Sequence, residues 1–227
     1  MLAPAMYWIQ KCLWPKTPSR VASQQGAPRI LATIETSSST LSKSGGKGTL
    51  TITLKATIEG KEPVTINAFQ TILDPRMPAQ GLTFKDTQSG NLAERVRIDI
   101  HYEVPDLLSI TTDSVVEIPT SSQAAGQPAY TVSHTFKVLD VRQPKSGDPP
   151  LSFEEQLQLE ISPVAGFAVG HTYEIGLGED MSKISWWRVG QKSDVFAGGR
   201  QLRALRDNDL PNIRMVAMNT PRFTVVE

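Results

Sequence analysis

Cysteine is nearly absent. Cys12 is the single thiol in 227 residues, which rules out an intrachain disulfide and a zinc site built from several thiolates. Sequons for N-glycosylation are lacking altogether, and the two absences together favour a reducing, cytoplasmic setting over a secreted one. Charge imbalance is lacking too. The chain has 23 basic and 23 acidic residues, so no overall field draws it to nucleic acid or to an anionic membrane. No apolar run is long enough to span a bilayer; residues 1–14 are apolar, but Pro4 and Lys11 interrupt them. Acids are missing before Glu35, whereas Lys11, Lys16, Arg20 and Arg29 are present. Residues 1–28 therefore read as a flexible or processed leader, with a mitochondrial transit peptide as the alternative. Pro4, Pro15 and Pro18 would break the amphipathic helix such a peptide needs. Helical periodicity is the last absence: no apolar repeat of helical spacing persists over about twelve residues, and residues 199–206 hold one short turn at most.

Alternation takes its place. Leu50, Ile52, Leu54, Ala56 and Ile58 alternate with Thr49, Thr51, Thr53, Lys55 and Thr57. That pattern gives a half-buried antiparallel strand one apolar face and one threonine-rich face. Gly45, Gly46 and Gly48 mark a turn before it, with residues 30–35 as the preceding strand. Val96, Ile98, Ile100 and Tyr102 form a second row against Arg95, Arg97, Asp99 and His101; Tyr130, Val132, His134, Phe136 and Val138 form a third. Shorter strands are expected at residues 64–70, 82–85, 115–118, 157–161, 173–177, 184–189, 213–218 and 223–226. The pattern predicts an all-β fold: an antiparallel two-sheet β-sandwich, immunoglobulin-like, of about ten strands. Residues 29–227 are expected to form a single domain. Leu50, Ile52, Val96, Ile98, Val132, Phe136, Leu157 and Leu159 are its expected core, each stabilising by about 1.5–3 kcal/mol when fully buried.

Motifs for chemistry are few. His101, His134 and His171 lie in separate segments without metal-ligand spacing, so neither a metal nor a cofactor is expected. There is no G-x-S-x-G elbow, and Cys12 falls in the leader, where a catalytic thiol would lack a rigid frame. Gly176-Leu177-Gly178 opens like a dinucleotide fingerprint, but Met181 stands where its third glycine would be. Asp207-Asn208-Asp209 opens like a calcium loop and lacks the glycine and the distal glutamate. His134, on the apolar face of its strand, is the one candidate for acid–base catalysis, with Asp99, Glu103 or Arg188 to orient it.

The most distinctive stretch runs from His171 and Tyr173 to Trp186-Trp187-Arg188. Neighbouring residues of a strand face opposite ways, so one tryptophan can anchor the core while the other lies outside or is covered by residues 198–211. An outward ring beside Arg188 would make a platform for a partner protein, a sugar or an aromatic ligand. With the strand at residues 49–58 and Gly81-Leu82-Thr83-Phe84, the segments Gly170-His171-Thr172-Tyr173 and Trp186-Trp187-Arg188-Val189-Gly190 resemble a group of uncharacterised fungal β-sandwich proteins. The resemblance spans roughly residues 28–227; it implies an immunoglobulin-like fold and an intracellular setting, and brings no activity or cofactor with it. The leading functional expectation is a non-enzymatic binding protein with Trp186, Trp187, Arg188, Tyr173 and His171 at its site. Its partner would be a protein or a small molecule. The alternatives are a cofactor-independent isomerase, cyclase or hydrolase using His134, and a carbohydrate-binding module.

Overall fold

The computed structural model describes residues 27–43, 48–69, 71–75, 81–93, 114–123, 128–137, 149–150, 166–179, 181–195 and 210–227. Within them the chain is all-β apart from one short helix, α1 (Lys192–Val195). Among these described residues there are twelve strands, where about ten were expected for the domain, and they form three hydrogen-bonded sheets. The expected strands at residues 96–102 and 157–161, and the helical turn at residues 199–206, lie outside the described residues.

The first sheet has the order β7 (Tyr130–Lys137), β3 (Thr49–Glu59), β1 (Arg29–Thr36), β11 (Ile213–Ala217), β9 (Lys183–Ile184). Its register follows the alternation in the sequence. Ile30, Ala32 and Ile34 stand opposite Ile58, Ala56 and Leu54, and Val132, His134 and Phe136 opposite Leu54, Ile52 and Leu50; all are buried. The outer face is laced by cross-strand polar pairs: Thr51 with Thr135 (3.2 Å), Thr53 with Ser133 (2.9 Å) and Lys55 with Glu35 (2.6 Å). Each such pair adds about 0.2–1 kcal/mol, so the buried face dominates the stability of this sheet.

The second sheet has the order β2 (Thr40–Ser42), β12 (Arg222–Val226), β8 (Thr172–Leu177), β5 (Leu82–Asp86). The third has β10 (Trp187–Val189), β4 (Val64–Asn67), β6 (Val115–Ile118). Their buried residues join those of the first sheet in one core. Phe84 is its aromatic hub, meeting Phe136 of the first sheet and Phe167 and Phe223 edge-on at 5.5, 5.1 and 5.9 Å. Gly81, just before β5, is obligatory for close approach: a Cβ there would come within 2.7 Å of Met181 Cβ and 2.8 Å of Ile72 Cβ.

Two features depart from the expected antiparallel plan. First, two of the nine strand pairings are parallel, β1 with β11 and β2 with β12. The cause is a shared corner. After β1 the chain turns at Ser37-Ser38-Ser39 into β2, and after β11 it turns at Asn219-Thr220-Pro221 into β12, so both segments leave the first sheet for the second side by side. Thus the strand preceding β3 in the chain is β2, not β1. Asn219 holds the corner: its Oδ1 accepts from Ile34 N–H and its Nδ2 donates to Ile34 C=O, both at 2.8 Å. A side-chain amide thereby supplies the rung that the departing backbone no longer offers.

Second, the expected strand at residues 184–189 is two strands. Ile184 pairs with Ile213 in the first sheet, whereas Trp187 pairs with Ile66 in the third. Buried Ile184 and Trp187 are three positions apart, and a single strand would turn such residues to opposite faces. The chain resolves the conflict by changing sheets at Ser185-Trp186.

Candidate functional site

His134 points inward from β7 and is buried, with Nε2 at 2.8 Å from the carbonyl oxygen of Ile72. A carbonyl only accepts, so Nε2 carries the proton in this contact. The acceptor belongs to a buried turn that its own side chain braces: Thr71 Oγ1 donates to Ala68 C=O at 2.7 Å, and Leu73 N–H donates to Thr71 Oγ1 at 3.2 Å. Tyr130, on the same face of β7, donates its hydroxyl to Leu73 C=O at 3.1 Å. Burial, helped by the nearby Asp74 carboxylate, raises the Tyr130 hydroxyl above its usual range and keeps it a donor. His134 and Tyr130 therefore clamp the turn at residues 71–74 to the first sheet. Of the expected orienters, Asp99 and Glu103 lie outside the described residues, and Arg188 belongs to β10 in the third sheet.

His171 forms a more exposed constellation. Its Nδ1 donates to Asp86 Oδ2 at 2.9 Å. Asp86 ends β5 and caps the turn that follows: Oδ1 accepts from Gln88 N–H and Oδ2 from Ser89 Oγ, each at 2.9 Å. Asp86-Thr87-Gln88-Ser89-Gly90 is an Asx-turn sequence, closed by Gly90 at a φ of 75° that favours glycine. The Gln88 amide, the His171 hydrogen bond and the Ser89 hydroxyl hold the Asp86 carboxyl down at about 2. An ionised carboxylate on Nδ1 fixes the imidazole tautomer and turns Nε2 away from the pair, the arrangement that positions a general base. The hydroxyl bonded within this cluster, Ser89 Oγ, donates to Asp86 rather than to the imidazole, so it is not an activated nucleophile. Together with Thr87 Oγ1 on Thr172 C=O (3.0 Å) and Gln88 Nε2 on Gly170 C=O (3.2 Å), the pair fastens the β5 turn to the start of β8.

Tyr173, two residues on, is buried within the aromatic core, against Phe167 at 4.7 Å and stacked on Phe223 at 5.7 Å. Its hydroxyl accepts from Ala168 N–H at 2.8 Å.

The tryptophan pair divides between inside and outside. Trp187 is 4% exposed, and its Nε1 donates to Pro211 C=O at 3.0 Å, so residue 211 caps the buried ring. Trp186 stays partly exposed, with the Arg188 guanidinium 5.4 Å from its ring centroid. Arg188 also donates from Nη1 to Trp187 C=O at 2.8 Å, which holds the guanidinium in place. Asn67 N–H donates to Trp186 C=O at 3.1 Å, fixing the backbone under the ring.

The structure thus sorts the residues singled out in the sequence into separate places. Trp186 and Arg188 form one partly exposed surface on the third sheet; His171 joins Asp86 on the second; Tyr173, Trp187 and His134 are buried. Asp86 and Asn219 went unremarked in the sequence. The Asx-turn pattern could have exposed Asp86, whereas nothing local marks Asn219 as a rung between distant strands. Among the described residues no helix is long and apolar enough to cross a membrane, and no cluster of three or more metal-ligating side chains occurs. Compared with known protein families, curated proteins and solved structures, the chain matches none.

Proposed function

We propose that this chain is a non-enzymatic binding module, a β-sandwich of immunoglobulin-like layering, and that it recognises a protein partner through Trp186 and Arg188. One observation carries this reading: of two adjacent tryptophans, one anchors the core and the other is left at the surface with a guanidinium over its ring. Tryptophan and arginine are the side chains that most often dominate binding energy at protein interfaces, because a large rigid ring loses little entropy when covered. The backbone bond from Asn67 to Trp186 and the Arg188 contact to Trp187 C=O hold both groups before any partner arrives.

The test uses immobilised wild-type, Trp186→Ala and Arg188→Ala protein as bait in a cell extract under reducing conditions, with bound proteins identified by mass spectrometry. Partners retained by the wild type and lost from both variants, with unchanged circular dichroism, are the expected result. The same proteins recovered on all three baits would sink the proposal. A glycan titration that quenches tryptophan fluorescence in the wild type but not in Trp186→Ala would instead assign the platform to a sugar.

A further inference from the structure

A second surface lies on the outer face of the first sheet, toward its β9 edge. Arg29 of β1 is in register with Arg214 of β11, and Arg214 with Lys183 of β9. All three point outward and are exposed, alternating with buried Ile30, Ile213 and Ile184. Adjacent strands are about 4.8 Å apart, so three cations sit side by side across the sheet. Glu59, next in the same row on β3, engages Arg29 at 2.7 Å. Among the described residues Arg214 and Lys183 have no ion pair and no side-chain hydrogen bond. Like charges placed directly opposite one another disfavour the strand pairing that holds them, and a bound anion would relieve that repulsion.

The neighbouring positions of the same face are apolar. Leu31 is in register with Val216, one pleat beyond the cations, and Val216 and Met218 are 39% and 58% exposed. The face therefore combines two cations that have no ion pair among the described residues with adjoining aliphatic and thioether surface. Toward the middle of this sheet the outer face carries its own pairs, Lys55 with Glu35 and Thr53 with Ser133.

We infer that the Arg214–Lys183 row, with Val216 and Met218 beside it, docks an acidic segment of a protein partner that also carries an apolar side chain. Carboxylates of the segment lie across the guanidinium and the ammonium, and its apolar group covers Val216 and Met218. Charge complementarity selects the partner, and the adjoining apolar surface distinguishes it from a free anion. This surface shares no residue with the Trp186–Arg188 platform, so the two stand or fall separately.

A fluorescein-labelled peptide of glutamates around a central leucine tests the assignment by anisotropy, against the full chain at low salt. The wild type is expected to bind; Arg214→Gln/Lys183→Gln should bind about tenfold more weakly, and raised salt should weaken binding to the wild type. Met218→Gln should lower affinity without changing the salt dependence. Lys85→Gln, which removes an exposed cation from the second sheet, should bind as the wild type does. Lys183→Gln alone repeats the test at the edge strand should the double variant not fold. Absence of wild-type binding, equal binding by the charge variants, or an equal loss in Lys85→Gln overturns the inference. Binding to phosphatidylserine vesicles but not to the peptide also overturns it, in favour of a membrane surface.

Discussion

Strand β3 and the seven residues from Lys183 to Val189 draw on similar apolar side chains, yet one is an unbroken strand and the other is divided between two sheets. In β3 every second residue from Leu50 to Ile58 is buried, and both neighbours, β1 and β7, follow it for eight register positions each. In the later segment the buried residues Ile184 and Trp187 are out of phase, and each finds a different partner strand. Composition makes a segment extended; parity decides whether one sheet can hold it. Where parity fails, a side chain is left over. Here that side chain is Trp186.

The comparison can be broken most severely at β3. Ile52→Asp puts a carboxylate into the buried face between Thr36 of β1 and His134 of β7, and it should cost more than about 4 kcal/mol. Far-ultraviolet circular dichroism at 25 °C should show an unfolded chain; a cooperative native transition would show that this face is not the core.

A smaller and more selective break lies at the divided segment. Trp187→Ala should destabilise by about 3–5 kcal/mol in urea titration, through the cavity it leaves and the unpartnered Pro211 carbonyl. Trp186→Ala should cost only about 1 kcal/mol, the scale of a partly exposed cation–π contact. Equal losses at the two positions would mean that the rings are not sorted between inside and surface.

The corner between sheets gives the next effect. Asn219→Ala removes two hydrogen bonds to Ile34 and should cost about 1–3 kcal/mol, measured by urea titration. Asn219→Asp keeps the acceptor and loses the donor to Ile34 C=O, so it should not restore stability.

The smallest effect is read in acid. Asp86 titrates at about 2 in the folded chain, below the unfolded carboxylate value of about 3.9, so the unfolded state takes up its proton first. Its stabilising contribution is complete above the unfolded value and is lost as pH falls through the folded one. The melting temperature of the wild type should therefore fall between pH 4 and pH 2 more steeply than that of Asp86→Asn. Parallel curves would show that the Gln88, Ser89 and His171 contacts do not favour the ionised form.

Much of the fold was legible because local patterning and tertiary environment agree. Leu50, Ile52, Val132 and Phe136 were expected in the core and are there, since a half-buried strand records its environment in every second residue. The parallel pairings were not legible. Nothing within residues 29–36 reveals that their neighbour is a strand nearly two hundred positions away, and a single amide, Asn219, marks the corner. The site was legible only in part. Adjacent tryptophans on an extended segment must diverge, but which one is buried depends on Ile66 and Pro211, residues remote in sequence. His171 stood out by its type, whereas its role depends on Asp86, 85 positions earlier.

The pairing of β1 with β11 and of β2 with β12 also sets a timetable for folding. Ile34 and Asn219 are 185 residues apart, so β11 and β12 emerge from the ribosome long after β1 and β2, the strands they pair with. Until then β1, paired with β3 on one side, keeps its other edge open, and β2 lacks its partner β12, which leaves both exposed to pairing with other nascent chains. Such long loop closures make for slow folding, and the arrival of β11 and β12 is the latch that ends this vulnerable interval.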